Sequence, residues 1–111
     1  MNVYDTANKL AYEIKNSDEY MNYKKIRENV NNKPELKEKI EKFEKLRYSI
    51  QLQSIKGGEQ NNEEALETQN LYAELIQNEE VKKYFDCELK FNVLLADVNK
   101  IIAESVKDIL N

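Results

Sequence analysis

Histidine is absent from this chain, and tryptophan with it; there is one cysteine, one proline and two glycines. Without histidine there is no Ser-His or Cys-His nucleophile pair, no side chain whose ordinary pKa lies near neutrality, and no Glu-x-x-His metal ligation of the bundle type. Cys87 has no disulfide partner and no C-x-x-C companion, the cysteine usage of a reducing compartment, and it reads as a small buried hydrophobe rather than a nucleophile. No run approaches the ~18 apolar residues of a membrane span, and the start "MNVYDTANKL" lacks a basic segment followed by an apolar block. These absences remove most hydrolase and metalloenzyme readings, leaving only an enzyme that uses carboxylates alone, and point to a cytoplasmic protein that does not insert into a membrane.

With so few breakers, long helices are the economical reading. The chain has 111 residues, 41% hydrophobic and 34% charged, enough for a single helical domain over 1–111 with a modest core. Val3, Ala7, Leu10, Ala11 and Ile14 recur at helical spacing and predict a first helix over 3–15. Asn16, three residues before Glu19, predicts the cap of a second over 17–31, with Tyr20, Tyr23, Ile26 and Val30 on one side. Asn32 with Pro34 opens a third over 34–56, and Leu36, Ile40, Phe43, Leu46 and Ile50 line it. Glu35, Glu38 and Glu41 each precede a lysine by four residues, the spacing of exposed intrahelical pairs. A fourth helix spans 63–77. Asn78 caps a fifth over 79–109, whose apolar residues wrap well beyond one stripe.

Both glycines fall in "SIKGGEQNN", at Gly57 and Gly58. Lys56 precedes them and no strand leads in, so a phosphate-binding loop is excluded; the pair reads as a helix stop, with positive φ expected at one of them. Charge also switches there. Residues 33–56 hold seven basic and four acidic groups, and residues 57–80 hold seven acidic and no basic groups, whereas residues 1–32 and 81–111 each hold five of either sign. The acidic residues Glu59, Glu63, Glu64, Glu67 and Glu74 are a candidate partner surface, or else the counterpart of the basic third helix across the hairpin. As a metal site the cluster is outweighed by the ordinary reading of a solvated helix face.

Surplus apolar faces on the two longest helices predict an all-α helical bundle completed by self-association, as a homodimer or higher. Tyr48, Leu52 and Ile55 turn away from the main stripe of the third helix. With Glu88, Phe91, Leu95, Val98 and Ile102 of the fifth they form the expected self-association surface. Glu88 lies within an apolar arc, either fixing register or reaching solvent from a boundary position. A second class of partner, RNA, would use the basic face from Lys37 to Arg47, although Glu38, Glu41 and Glu44 interleave with it.

One resemblance covers nearly the whole chain, from about Tyr4 to Leu110. Ile14-Lys15 with Ser17 and Glu19-Tyr20, Pro34-Glu35-Leu36 opening a long helix, Gly57 after a Gln-rich end, Leu71-Tyr72, Asn78 with Val81, and the Leu94-Leu95 to Ile101-Ile102 run occur in the order seen in the YheA/YmcA/YlbF family of small bacterial helical proteins. The YheA branch is the most similar. The resemblance implies an all-helical, self-associating fold without enzymatic activity. It further implies kinship with regulatory adaptors of Gram-positive bacteria linked to competence, sporulation, biofilm development and control of an endoribonuclease. The cysteines that hold an iron–sulfur cluster in some relatives have no counterpart here beyond Cys87, so no cluster is carried over.

Overall fold

A computed structural model describes residues 2–57 and 62–110, and those residues form six helices. They are α1 (Val3–Lys15), α2 (Asp18–Asn31), α3 (Pro34–Ile55), α4 (Asn62–Leu75), α5 (Glu79–Ser105) and α6 (Lys107–Leu110). No strand occurs among the described residues. No described helix is long and apolar enough to cross a membrane.

The helix boundaries follow local chemistry. Asn2 accepts from the Tyr4 amide at 2.9 Å and caps α1. At the α1–α2 corner the sequence expectation misassigns the cap. Ser17, not Asn16, accepts from the Tyr20 amide at 3.2 Å, while Asn16 turns back and donates its side-chain amide to the Tyr12 carbonyl at 2.8 Å. Both residues favour helix ends, and Ser17 sits at the correct offset from the first free amides. Lys33 is the N-cap of α3 without a side-chain capping bond, and Pro34 fixes the first turn as expected. Asn78 caps α5 as expected, its Oδ1 accepting from the amides of Glu80 at 2.9 Å and Val81 at 3.2 Å.

The fifth helix is shorter than its apolar pattern predicts. It ends at Ser105, and α6 begins after Val106. Ser105 Oγ donates to the Ile102 carbonyl at 2.7 Å, and the Val106 amide reaches the Ala103 carbonyl at 3.3 Å, three residues back rather than four. A serine hydroxyl bonded to its own helix competes with the ladder and tightens the turn.

Backbone contacts divide the chain into two compact units: residues 1–27 with 84–111, and residues 28–83. In the second unit α3 runs against α4 as a hairpin. Ile40, Phe43 and Leu75 are buried there, and the rings of Phe43 and Tyr72 lie 5.7 Å apart. Val30 and Val81, both fully buried, belong to the same unit, where Lys33 and Glu80 form an ion pair. In the first unit an aromatic group joins α2 to α5. Tyr20 packs edge-on against Phe91 at 5.8 Å, and Tyr23 lies against both Tyr84 and Phe91. Ile26, Tyr84 and Cys87 are buried, the last in agreement with a packing role for the thiol.

Gly57 carries φ +71°, the left-handed conformation expected of a residue ending α3. An added Cβ would meet nothing within 4 Å, so the constraint there is backbone conformation and not space. Gly58 lies outside the described residues. Replacing Gly57 by Ala is expected to cost about 1 kcal/mol from conformation alone, with Asn costing less; urea unfolding of the two variants checks the order. Leu75, only 2% exposed, is expected to lose about 2–5 kcal/mol on truncation to Ala in the same assay.

Candidate interaction surfaces

The charge switch of the sequence becomes an ionic seam on the α3–α4 hairpin. Lys39 Nζ meets Glu74 Oε1 at 2.8 Å, and Lys42 Nζ meets Glu67 Oε1 at 3.2 Å. Glu64 accepts from Ser49 Oγ at 2.8 Å and from Gln53 Nε2 at 3.4 Å. Lys39 and Lys42 thus reach across to α4, beyond the intrahelical spacing with Glu35 and Glu38 that the sequence offers. Their hydrogen-bonded pairing raises the pKa of Lys39 and lowers that of Glu74. These pairs are solvent-exposed, so they set register more than they add stability.

Three of the five acidic candidates therefore have partners on α3. Glu63 is an exposed residue of α4, and Glu59 lies outside the described residues. Among the described residues no three Cys, Asp or Glu side chains are grouped to hold a metal ion. Apolar side chains also stand open on this hairpin. Tyr48 is 62% exposed and Ile55 81%, two turns apart on one face of α3, with Leu52 half-buried between them. On α4, Leu66, one of the apolar residues that mark the fourth helix in the sequence, is 58% exposed.

The other residues expected at a self-association surface belong to the first unit and divide into two sets. Phe91 packs within the chain against Tyr20 and Tyr23. Glu88 is half-buried beside them and accepts a hydrogen bond from the Tyr23 hydroxyl at 3.3 Å, which gives this carboxylate an intrachain role. Leu95 and Val98 are half-buried and Ile102 is exposed. Sequence reasoning missed how open α1 is: none of its residues is buried, and Val3, Tyr4 and Tyr12 are largely exposed. The stripe was visible, but a stripe does not say whether anything covers it.

Burial holds the Tyr23 hydroxyl above its ordinary pKa of 10.0; the hydrogen bond with Tyr84 opposes this and the Glu88 charge adds to it. Because the folded pKa lies above the unfolded one, the stabilising contribution is complete below pH 10 and is lost as pH rises through the folded value. The difference in phenolate absorbance between the wild-type chain and Tyr23→Phe is expected to have its midpoint above pH 10.0. A midpoint at or below that value would contradict the packing described.

Comparison with known proteins fits this architecture. Residues 3–107 match the model of a family described as control of competence regulator ComK, YlbF/YmcA. A UPF0342 protein of Halothermothrix orenii is 35% identical over 92% of this chain and 86% of its own length. A UPF0342 protein of Caldicellulosiruptor bescii is 31% identical over 96% and 89% respectively. Among solved structures, a protein of unknown function (DUF964) from Bacillus stearothermophilus superimposes with a TM-score of 0.81 at 17% identity, covering 96% of this chain and 93% of that one. The yheA protein of Bacillus subtilis superimposes with a TM-score of 0.72 at 21% identity, covering 97% and 98%. In sequence over nearly its full length and in its helical fold, this chain belongs to the YheA/YmcA/YlbF family.

Proposed function

We propose that this protein is a non-enzymatic regulatory adaptor of the cytoplasm that works by presenting helical surface to other proteins, a second copy of itself included. The observation that carries this reading is the exposure of large apolar side chains on regular helices. Tyr48 and Ile55 on one face of α3 are the example in the second unit. An apolar side chain fully buried is worth roughly 1.5–3 kcal/mol, so each of these forgoes stabilisation that a partner would supply. Membership of a family linked to control of a competence regulator supports a role through protein contacts.

On α4, Glu63 is exposed, whereas the carboxylates of Glu67 and Glu74 already pair with Lys42 and Lys39. The RNA reading gains nothing, since Lys39 and Lys42 of its basic face already pair with glutamates.

Affinity capture from the native host with the full chain tests the proposal. Tyr48→Glu with Ile55→Glu is expected to reduce recovery of specific partners by about tenfold or more, the scale of a hot-spot loss, while leaving the thermal melt unchanged. Identical recovery by the wild-type chain and the double variant would remove this surface from the mechanism.

A further inference from the structure

Within the second unit, the first turns of α3 and the corner between α4 and α5 enclose a cleft. Its volume is about 320 Å³, and Leu36, Lys39, Glu74, Leu75, Gln77 and Asn78 line it. Leu75 is buried and Leu36 half-buried, so one wall is aliphatic, while the side chains of Lys39 and Glu74 stand at the solvent edge. Ligand pockets run from about 300 to 1,000 Å³, which puts this one at the size of a single small metabolite.

The polar groups of the lining come in matched kinds. Lys39 Nζ gives one of its N–H donors to Glu74 Oε1 at 2.8 Å and has others to offer, and the Glu74 carboxylate has a second oxygen. Asn78 Oδ1 accepts from the amides of Glu80 and Val81, at 2.9 and 3.2 Å, which sets its Nδ2 donors on the opposite side of the amide group. Gln77 Nε2 approaches the Ala73 carbonyl at 3.5 Å, leaving Oε1 as an acceptor. The cleft thus offers a cation with an amide donor and an anion with an amide acceptor, beside an aliphatic wall. A simple anion would be repelled by Glu74 and a simple cation by Lys39, and such like-charge contacts exclude a ligand. An uncharged apolar molecule would cover both charges without replacing their bonds to water. A small molecule with both signs on neighbouring atoms and an aliphatic tail meets every requirement.

We infer that this cleft binds a free α-amino acid with an aliphatic side chain. Its carboxylate accepts from Lys39 and Asn78, its ammonium group donates to Glu74 and Gln77, and its side chain lies on Leu36 and Leu75. The Lys39–Glu74 pair stays formed, since each partner keeps bonding capacity beyond the other. Water reaches both charged side chains, so affinity is modest, with a Kd of about 1 mM. Small-molecule binding is added to the adaptor reading without resting on it, because none of the cleft residues belongs to the Tyr48 and Ile55 face.

Calorimetric titration of the full chain with L-leucine is expected to show saturable binding with a Kd of about 1 mM. Isocaproate, which lacks the amine, and isoamylamine, which lacks the carboxylate, are each expected to bind at least about tenfold more weakly; this comparison uses the wild-type chain alone. Lys39→Met and Glu74→Gln are each expected to weaken leucine binding by about tenfold or more with helical circular dichroism retained. Lys42→Met removes the other ion pair of the same seam but no group of the cleft, and is expected to bind leucine as the wild-type chain does. The absence of saturable binding at about 20 mM leucine would overturn the site. Equal binding of leucine and its two half-ligands would overturn recognition of the zwitterion, and an equal loss in Lys42→Met would assign the effect to the seam and overturn the cleft. Each of these results leaves the partner capture by Tyr48 and Ile55 untouched.

Discussion

Phe43 lies against Tyr72 on the α3–α4 hairpin while Lys39 and Lys42 meet Glu74 and Glu67 across it, and this two-part contact constrains everything else in the second unit. The buried Phe43 ring and Leu75 supply the energy, because apolar area leaves water there. Ion pairs at the surface add little energy but are lost when the hairpin slips out of register. Gly57 at the end of α3 allows the chain to leave the helix without conformational strain. The residues that remain open, Tyr48, Ile55 and Leu66, are then displayed on helices held in a defined register.

In the first unit the corresponding constraint is aromatic. Tyr20, Tyr23, Tyr84 and Phe91 meet at centroid separations near 5.8 Å, and Glu88 is accommodated there through the Tyr23 hydroxyl. A half-buried carboxylate is tolerable only with such a donor nearby. The contact uses α2 and the first half of α5, and it leaves α1 without a buried residue and α5 beyond Val98 open. The 13-residue α1 gains little burial within its own chain, and an isolated helix of that length is marginal in water.

Much of the fold was legible because helices are written in short-range patterns. The scarcity of glycine and proline, the stripe Ile40 and Phe43, the cap at Asn78 and the stop at Gly57 each depend on residues within a few positions of one another. Where two neighbours compete for one cap, as Asn16 and Ser17 do, composition alone does not choose; the offset to the first free amides does. Val106 is a similar case, since the Ser105 hydroxyl decides locally what the apolar pattern leaves open.

By itself, the sequence determined the helical class, the positions of five of the six described helices to within a few residues, the glycine corner and the family. These follow from backbone propensity, spacing and order along the chain. Only the tertiary structure decided which apolar residues are spent. Phe91 and Tyr48 carry equal claims as surface anchors in the sequence, yet one is packed between tyrosines and the other is 62% exposed. It likewise decided that Lys39 and Lys42 reach across to glutamates on α4. A helical stripe specifies a direction around its own axis, and what lies in that direction depends on where the other helices pack.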